Sequence, residues 1–134
     1  MLPEFKFHHI GIAVKDIVKA ANLYKDAGYL CSEITYDPIQ NIEICFLSKD
    51  GMPLVELLAA HDEKSPVNNI LQKVGSGPYH CCYVVQDIED AISKLKRMRY
   101  IATSKPAEAV AIDNHRVCFL YNKEIGLIEL VEYK

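Results

Sequence analysis

The chain has little of what a nucleic-acid-binding or membrane-spanning protein needs. Its 134 residues carry a net charge of -3, and no basic stripe with interleaved aromatic residues runs along them, so nucleic acid is not an expected partner. No stretch approaches the ~20 consecutive apolar residues of a membrane span. The first residues also lack the charged leader and apolar run of a signal peptide, so we expect a cytoplasmic protein with no membrane partner.

The cysteine spacing excludes two further classes of protein. There are five cysteines, an odd number, and they show no CxxC spacing, so neither a disulfide framework nor a thiolate zinc site is expected. We expect them to be reduced and mostly buried. What the chain does have is 50% apolar residues, which is enough for the core of a single domain over residues 1–134.

The two halves of the chain repeat each other. Segments HIGIAVKDI and ICFLSKDGMPLVELL of the first half match HCCYVVQDI and VCFLYNKEIGLIELV of the second. The repeat covers about residues 7–60 and 79–133, and each half is too short to be stable alone, so we expect one shared core. The matched pairs include His9 and His80, Asp16 and Asp87 (each 71 residues apart), and Glu56 and Glu129 (73 apart).

Each half has the pattern of a βαβββ module. A short strand is followed by an aspartate suited to a helix N-cap, by apolar residues at helical spacing, and then by three strands. A short helix, VNNILQKV, joins the halves and ends at Gly75. The pattern predicts an α+β fold of two tandem modules. The later strands are predicted at about residues 30–36, 41–48, 52–59, 100–104, 114–121 and 125–133.

Strand alternation predicts a metal site with ligands from both halves. His9 shares a strand face with Gly11 and Ala13, while the helix should cover the opposite, isoleucine-rich face. Glu56 and Glu129 each lie among leucines and valines, where a buried, unpaired carboxylate costs several kcal/mol and a divalent cation is the simplest compensation for two of them. The predicted ligands are His9, Glu56, His80 and Glu129.

Two charged residues of the third strands are candidates for chemistry in the same cavity. Glu43 is the preferred catalytic base, and the alternatives are an ion pair with Arg116 or a solvated position on the strand face. Arg116 is a candidate for binding an anionic substrate group, and the alternative is a purely structural pairing. We expect both side chains to face the cavity that holds the metal.

The ligand set favours proton-transfer chemistry at a single divalent ion. Two imidazoles and two carboxylates suit octahedral Co, Ni, Mn or Zn with two positions left for a bidentate substrate. If the substrate is an acyl thioester or another carbonyl compound, chelation stabilises the enolate that forms when the α-proton leaves. Glu43 on one side and Glu129 on the other would invert the stereocentre, whereas one mobile carboxylate would instead return the proton to a neighbouring carbon.

These residues resemble the vicinal oxygen chelate superfamily of glyoxalases, bleomycin-resistance proteins, extradiol dioxygenases and methylmalonyl-CoA epimerases. Within it, HHIGIAVKDIVKAANLYKDAGY, VELLAAHDEKSPVNNILQKVGSGPYH and GLIELVEY are most similar to the epimerases. The resemblance implies an open, eight-stranded, cup-shaped sheet around one metal ion, commonly in a homodimer. It places the metal ligands on the same four residues, and a glutamate that serves some epimerases as a base on Glu43.

The resemblance also marks departures and alternatives. Tyr79 and Tyr121 stand where the epimerases usually carry histidines that help to shape the substrate pocket, so we treat both tyrosines as substrate-contact candidates. The function implied is a metal-dependent epimerase of a small-molecule substrate. The runner-up is a glyoxalase I-like lactoylglutathione lyase acting on a hemithioacetal, and the third alternative is a non-catalytic small-molecule-binding member of the superfamily.

Overall fold

The computed structural model describes residues 1–134 as ten strands and three α-helices, the α+β class that was predicted. Contacts divide the chain into two compact units, residues 9–79 and residues 80–134 together with residues 1–8. None of the three helices has the length and apolar character that a membrane crossing requires.

The first unit carries five strands and two helices. In chain order the elements are β1 (Lys6–Ala13, entering this unit at residue 9), α1 (Ile17–Asp26), β2 (Leu30–Cys31), β3 (Thr35–Asp37), β4 (Ile42–Ser48), β5 (Val55–Ala60) and α2 (Val67–Val74). The strands are ordered β2-β4-β5-β1 in the sheet, and β3 also pairs with β4. β1 and β5 run parallel, and the other pairs are antiparallel.

The second unit repeats this connectivity. In chain order the elements are β6 (Gly77–Val85, entering this unit at residue 80), α3 (Ile88–Arg97), β7 (Ile101–Ala102), β8 (Ala107–Ala109), a 3-10 turn (Val110–Ile112), β9 (His115–Asn122) and β10 (Gly126–Glu132). The strands are ordered β6-β10-β9-β7 in the sheet, and β8 also pairs with β9. β6 and β10 form the parallel pair.

Both long helices begin at the aspartates that the repeat singled out. Asp16 accepts a hydrogen bond from the backbone N–H of Lys19 at 3.0 Å, and Asp87 accepts one from that of Asp90 at 2.9 Å, which satisfies N–H groups that a helix start leaves unpaired. Each helix packs its apolar stripe on one face of its own unit, so the expected coverage of the isoleucine-rich face is confirmed. The buried clusters are Val14, Ile17, Ala21, Cys45, Leu47, Val55, Leu57 and Ala59 in the first unit, and Val85, Ile88, Ala91, Ile92, Leu95, Tyr100, Cys118, Leu120, Ile128 and Leu130 in the second.

The sheet has ten strands rather than the expected eight. In each unit, one edge strand is divided into two short strands at a serine. Cys31 pairs with Leu47, but at the next residue the Ser32 hydroxyl, not a backbone carbonyl, accepts the hydrogen bond from Phe46 N–H at 2.8 Å. The ladder resumes only at Thr35, in β3, with its register shifted. This is the effect of a bulge, and the predicted strand at 30–36 is therefore two short strands.

The second unit shows the same interruption at Ser104. Its hydroxyl accepts a hydrogen bond from Phe119 N–H at 3.0 Å, and β8 begins three residues further on. The sequence prediction ended the corresponding strand at residue 104 and missed β8. A side chain that replaces a backbone acceptor leaves no periodic signal, so hydrophobic alternation alone could not locate these breaks.

Residues 1–8 pack on the second unit rather than on the strand pairs of the first. The Phe7 ring meets Tyr83 edge to face with centroids 6.2 Å apart, and the amino terminus donates to the hydroxyl of Tyr100. Leu2 and Phe5 add to the cluster beneath α3. The start of the chain thus stabilises the half that is distant from it in sequence.

Candidate metal centre

In the first unit, a histidine and a glutamate form a buried pair. β1 runs parallel to β5 with Gly11 beside Glu56, and alternation along β1 puts His9 on the same face. His9 Nε2 lies 3.3 Å from Glu56 Oε1, and their side chains are 0% and 4% exposed. His9 therefore occupies the strand face predicted for it, and Glu56 lies on that same face.

The second unit repeats the pair. Glu129 lies beside Cys82 in the parallel β10–β6 ladder, so alternation along β6 brings His80 to the same face. His80 Nε2 lies 3.3 Å from Glu129 Oε1, with side-chain exposures of 0% and 3%. Each half of the chain therefore presents one imidazole and one carboxylate in the same buried arrangement.

A phenylalanine accompanies each pair. Phe46 is the cross-strand partner of Glu56, and its ring meets the His9 ring edge to face at 5.5 Å and 81°. Phe119 is the partner of Glu129 and meets His80 at 5.2 Å and 88°. The duplication thus includes the aromatic neighbour of each histidine as well as the candidate ligands.

The donor atoms in each pair fit a divalent ion. Ligand atoms at 2.0–2.2 Å from one ion lie about 3.0 Å apart at right angles and about 3.4 Å apart at a tetrahedral angle. The 3.3 Å between Nε2 and Oε1 in both pairs falls within that range. An imidazole nitrogen and a carboxylate oxygen are also the donors that first-row divalent ions accept, so the residues present fit the predicted cofactor.

Glu43 does not face the same side as Glu56. It pairs with Ala59 in β4–β5, whereas Phe46 pairs with Glu56, so the two glutamates project from opposite faces. Glu43 Oε2 lies 3.7 Å from Nδ1 of His61, and the two side chains are 37% and 42% exposed. The expectation that Glu43 faces the metal cavity is therefore wrong in orientation, and its role as a base stays a prediction without geometric support.

Arg116 likewise belongs to the opposite face of its unit. Its guanidinium donates to both oxygens of Glu89 and, at 3.1 Å, to both oxygens of Glu132. Glu132 also accepts the backbone N–H of Ile88 at 2.9 Å, so the group ties the start of α3 to β9 and β10. The two carboxylates, Glu89 first, raise the pKa of Arg116 further above its ordinary value. The expected cavity-facing Arg116 is thus wrong, and the structural alternative is the one observed.

The two candidate tyrosines lie on different faces. Tyr121 pairs with Leu127 in the ladder where Phe119 pairs with Glu129, so it shares the face of Glu129, and it is 43% exposed. Tyr79 immediately precedes His80 in β6, so its side chain projects to the other face. Tyr121 therefore remains a substrate-contact candidate. The position of Tyr79 on the other face gives no support to a substrate contact by that residue.

Sequence reasoning missed the serines behind the phenylalanines. Ser32 and Ser104 each accept a backbone N–H from the phenylalanine, as described above, and the carbonyls of the same serines accept the thiols of Cys45 and Cys118 at 3.4 and 3.2 Å. Burial raises the pKa of both thiols, which keeps them protonated as donors. The repeat does carry a signal for these serines, because Ser32 lies 13 residues before Cys45 and Ser104 lies 14 residues before Cys118.

Comparison with known proteins identifies the superfamily. A family model described as the Glyoxalase/Bleomycin resistance protein/Dioxygenase superfamily matches residues 8–119. The match spans most of the chain, including both histidines and the first of the two glutamates. The chain therefore belongs to this superfamily, as the motif resemblance indicated.

Relatives within the superfamily narrow the class to the epimerases. The mitochondrial methylmalonyl-CoA epimerase of Homo sapiens is 34% identical over 131 residues, covering 93% of this chain and 72% of the relative. That of Mus musculus is 31% identical over 129 residues, covering 93% and 71%. The crystal structure of methylmalonyl-CoA epimerase from Mycobacterium tuberculosis is 27% identical, with a TM-score of 0.85 over 100% of this chain and 93% of that one. The chain is thus an epimerase-like enzyme of the isomerase type with the glyoxalase-like fold.

Proposed function

We propose that this enzyme epimerises an acyl-CoA thioester at the carbon next to the carbonyl, with methylmalonyl-CoA as the first substrate to test. The observation that carries the proposal is the duplicated pair, His9 with Glu56 and His80 with Glu129, each at 3.3 Å and buried. The names of the relatives support the choice of an acyl-CoA.

We further propose that the two pairs act together on one divalent ion, Co, Ni, Zn or Mn. Each of the four residues offers one nitrogen or oxygen ligand atom, and all four are buried. The matched positions in the repeat support a shared role, since packing alone gives no reason to repeat both ligand types. When bound, the ion would polarise the thioester carbonyl and stabilise the negative charge that develops as the α-proton leaves.

Glu129 is the proposed acceptor of the α-proton, and the planar enolate then takes a proton from solvent water on its opposite face, which completes the inversion. In the second unit Glu129 is the one carboxylate on its strand face, since Glu108 and Glu132 lie on the side of Arg116. In the first unit, Asp37 shares the face of Glu56 but already accepts the backbone N–H groups of Ile39 and Gln40 at 2.9 and 3.1 Å. A carboxylate whose oxygen already accepts backbone hydrogen bonds within its own turn is poorly placed to accept a substrate proton. Glu129 is therefore the better candidate.

The surroundings of Glu129 suit the acyl part of a thioester. Phe119 and Leu127 supply apolar surface on its face, and the half-exposed Tyr121 adds a hydroxyl at the edge. An apolar wall strengthens the interaction of the ion and carboxylate with developing charge, because it keeps water away from them. We propose Tyr121 as the substrate contact of this unit.

Exchange with solvent tests the proposal directly. The enzyme reconstituted with Co²⁺ is incubated with methylmalonyl-CoA in deuterated water, and mass spectrometry follows deuterium at the α-carbon. We expect rapid incorporation by the native protein and none by His80→Ala. Turnover of a methylglyoxal hemithioacetal without α-exchange would favour the lyase alternative, and metal-dependent binding without turnover of either would favour the non-catalytic one.

Three wider features belong to the same proposal. We propose that residues 1–134 act as one domain, that the protein forms a homodimer, and that it works in the cytoplasm. Light scattering during gel filtration gives the mass of the particle, and fractionation of the native cell gives its compartment. A monomeric active enzyme would reject the dimer, and recovery in an organelle fraction would reject the cytoplasm.

A further inference from the structure

The two phenylalanines next to the ligand histidines hold the same place in both halves. Phe46 and Phe119 are direct cross-strand partners of the ligand glutamates, and each ring stands nearly perpendicular to a histidine ring, at 81° and 88°. Each phenylalanine thus adjoins both members of its pair.

Ordinary core packing does not account for this placement. Phe46 and Phe119 are only half-buried, while their chain neighbours Cys45, Leu47, Cys118 and Leu120 are at most 1% exposed. Other residues on the same strand faces differ between the halves: Ile44 is matched by Val117, and Leu58 by Val131. Both halves have phenylalanine at this position, although a different apolar side chain of suitable volume could fill a half-buried site.

Each phenylalanine is itself held by the serine bulge. The Ser32 hydroxyl accepts the N–H of Phe46 at 2.8 Å, and the Ser104 hydroxyl accepts that of Phe119 at 3.0 Å. A backbone fixed in this way limits the positions that the ring can take. The edge-to-face contact then limits rotation of the imidazole about its own bonds, and such aromatic contacts contribute beyond simple burial.

We propose that Phe46 and Phe119 are positioning residues that orient the imidazoles of His9 and His80 for metal binding. This inference rests on the proposed metal site. A histidine that is already held in its binding orientation loses less freedom when the ion arrives, so metal affinity rises with no added ligand. The two phenylalanines act independently, one on each pair, and their effects on affinity multiply.

The test replaces each ring by an aliphatic side chain and measures metal affinity in the apo protein. The variants are Phe46→Leu, Phe119→Leu and the double mutant. Phe7→Leu is the matched control, because it removes an edge-to-face contact of similar angle, 78°, with Tyr83 rather than with a ligand. Competition of Co²⁺ against a chelating dye gives the dissociation constant, the visible spectrum of bound Co²⁺ reports its coordination, and thermal unfolding of the apo forms reports stability.

We expect each single variant to bind Co²⁺ about three- to tenfold more weakly, from the strength of an aromatic contact, and the double mutant to show the product of the two factors. The Co²⁺ spectrum should change in these variants, whereas Phe7→Leu keeps native affinity and spectrum. Native affinity and spectrum in both single variants, with only the apo melting temperature lowered, would overturn the positioning role and leave the metal site intact. Absence of Co²⁺ binding by the native protein would overturn both.

Discussion

His80 and Glu129 lie with Nε2 and Oε1 3.3 Å apart and with almost no exposed surface. The negative charge of a buried carboxylate beside an imidazole is stabilised by a proton on the imidazole or by a cation. The same pair occurs a second time, at His9 and Glu56. Duplicated pairs of this kind are the reason to expect a metal, and the predictions below separate the roles of the individual residues.

Replacing a ligand should weaken metal binding according to what the new side chain can still donate. His80→Ala removes a nitrogen donor and should cost about a hundredfold or more in Co²⁺ affinity, since four-ligand structural zinc sites supply about 10–16 kcal/mol and one ligand accounts for a share of that. Glu56→Gln keeps an oxygen that can coordinate and should cost about tenfold or less. Dye competition measures both, and equal retention of metal by the two variants would count against the ligand assignment.

Glu43→Gln tests the corrected orientation of that glutamate. Because Glu43 lies on the face opposite Glu56 and beside the half-exposed His61, we expect metal affinity and deuterium exchange to stay within about threefold of native, less than about 0.7 kcal/mol. Glu129→Gln should abolish exchange even at metal concentrations that saturate the site. Lost exchange with retained metal in Glu43→Gln would restore it as the base.

The error at Glu43 shows what a single sequence can predict. Alternation correctly grouped Glu43 with Cys45 and Leu47, and His9 with Gly11 and Ala13, because a strand has a fixed period of two. Which group faces the ligands depends on cross-strand register, here Phe46 opposite Glu56, and a one-residue slip reverses every side chain. The duplication identified the candidate ligands and the fold class. It carries no information on how β4 is aligned with β5.

Arg116 shows that the partners of a long side chain are also hard to predict from sequence. Its partners are Glu89 on α3 and Glu132 on β10, and nothing in the local pattern of β9 predicts which carboxylates a long, flexible side chain will reach. The sequence left a substrate role and a structural pairing both open. Only the packing of the helix on the sheet brings the three side chains together.

The Arg116 network should make stability depend on acid pH. The hydrogen bond from Arg116 holds the pKa of Glu89 below its ordinary value of 4.5. The pair therefore stabilises the fold fully above that value, and the contribution is lost as pH falls through the lowered pKa. Glu89→Gln should lower the melting temperature at pH 7 by a few degrees at most and by less at pH 3.

The control for that series is Glu124→Gln. Glu124 is 76% exposed and 3.9 Å from Lys123, so its loss should not change the melting temperature at either pH. A difference between Glu89→Gln and native protein that is as large at pH 3 as at pH 7 would show that the Glu89 charge does not carry the effect.

Two tyrosine variants test which face binds the substrate. Tyr121→Ala should raise KM for the acyl-CoA about tenfold, which corresponds to about 1.4 kcal/mol of lost contact, with a smaller effect on kcat. Tyr79→Ala alters the other face and should leave KM near the native value. Steady-state kinetics at saturating Co²⁺ measures both, and the reverse pattern would place the substrate on the face of Tyr79.

Counting metal ions per chain tests the central claim most directly. Apo protein is titrated with Co²⁺, separated from free ion and analysed by plasma mass spectrometry, alongside His9→Ala and His80→Ala. We predict one ion per native chain and near-complete loss in either variant, because both pairs contribute to one site. Two ions per chain, with each variant keeping one, would mean that the pairs bind separately, and no ion in the native protein would mean that the pairs are not a metal site.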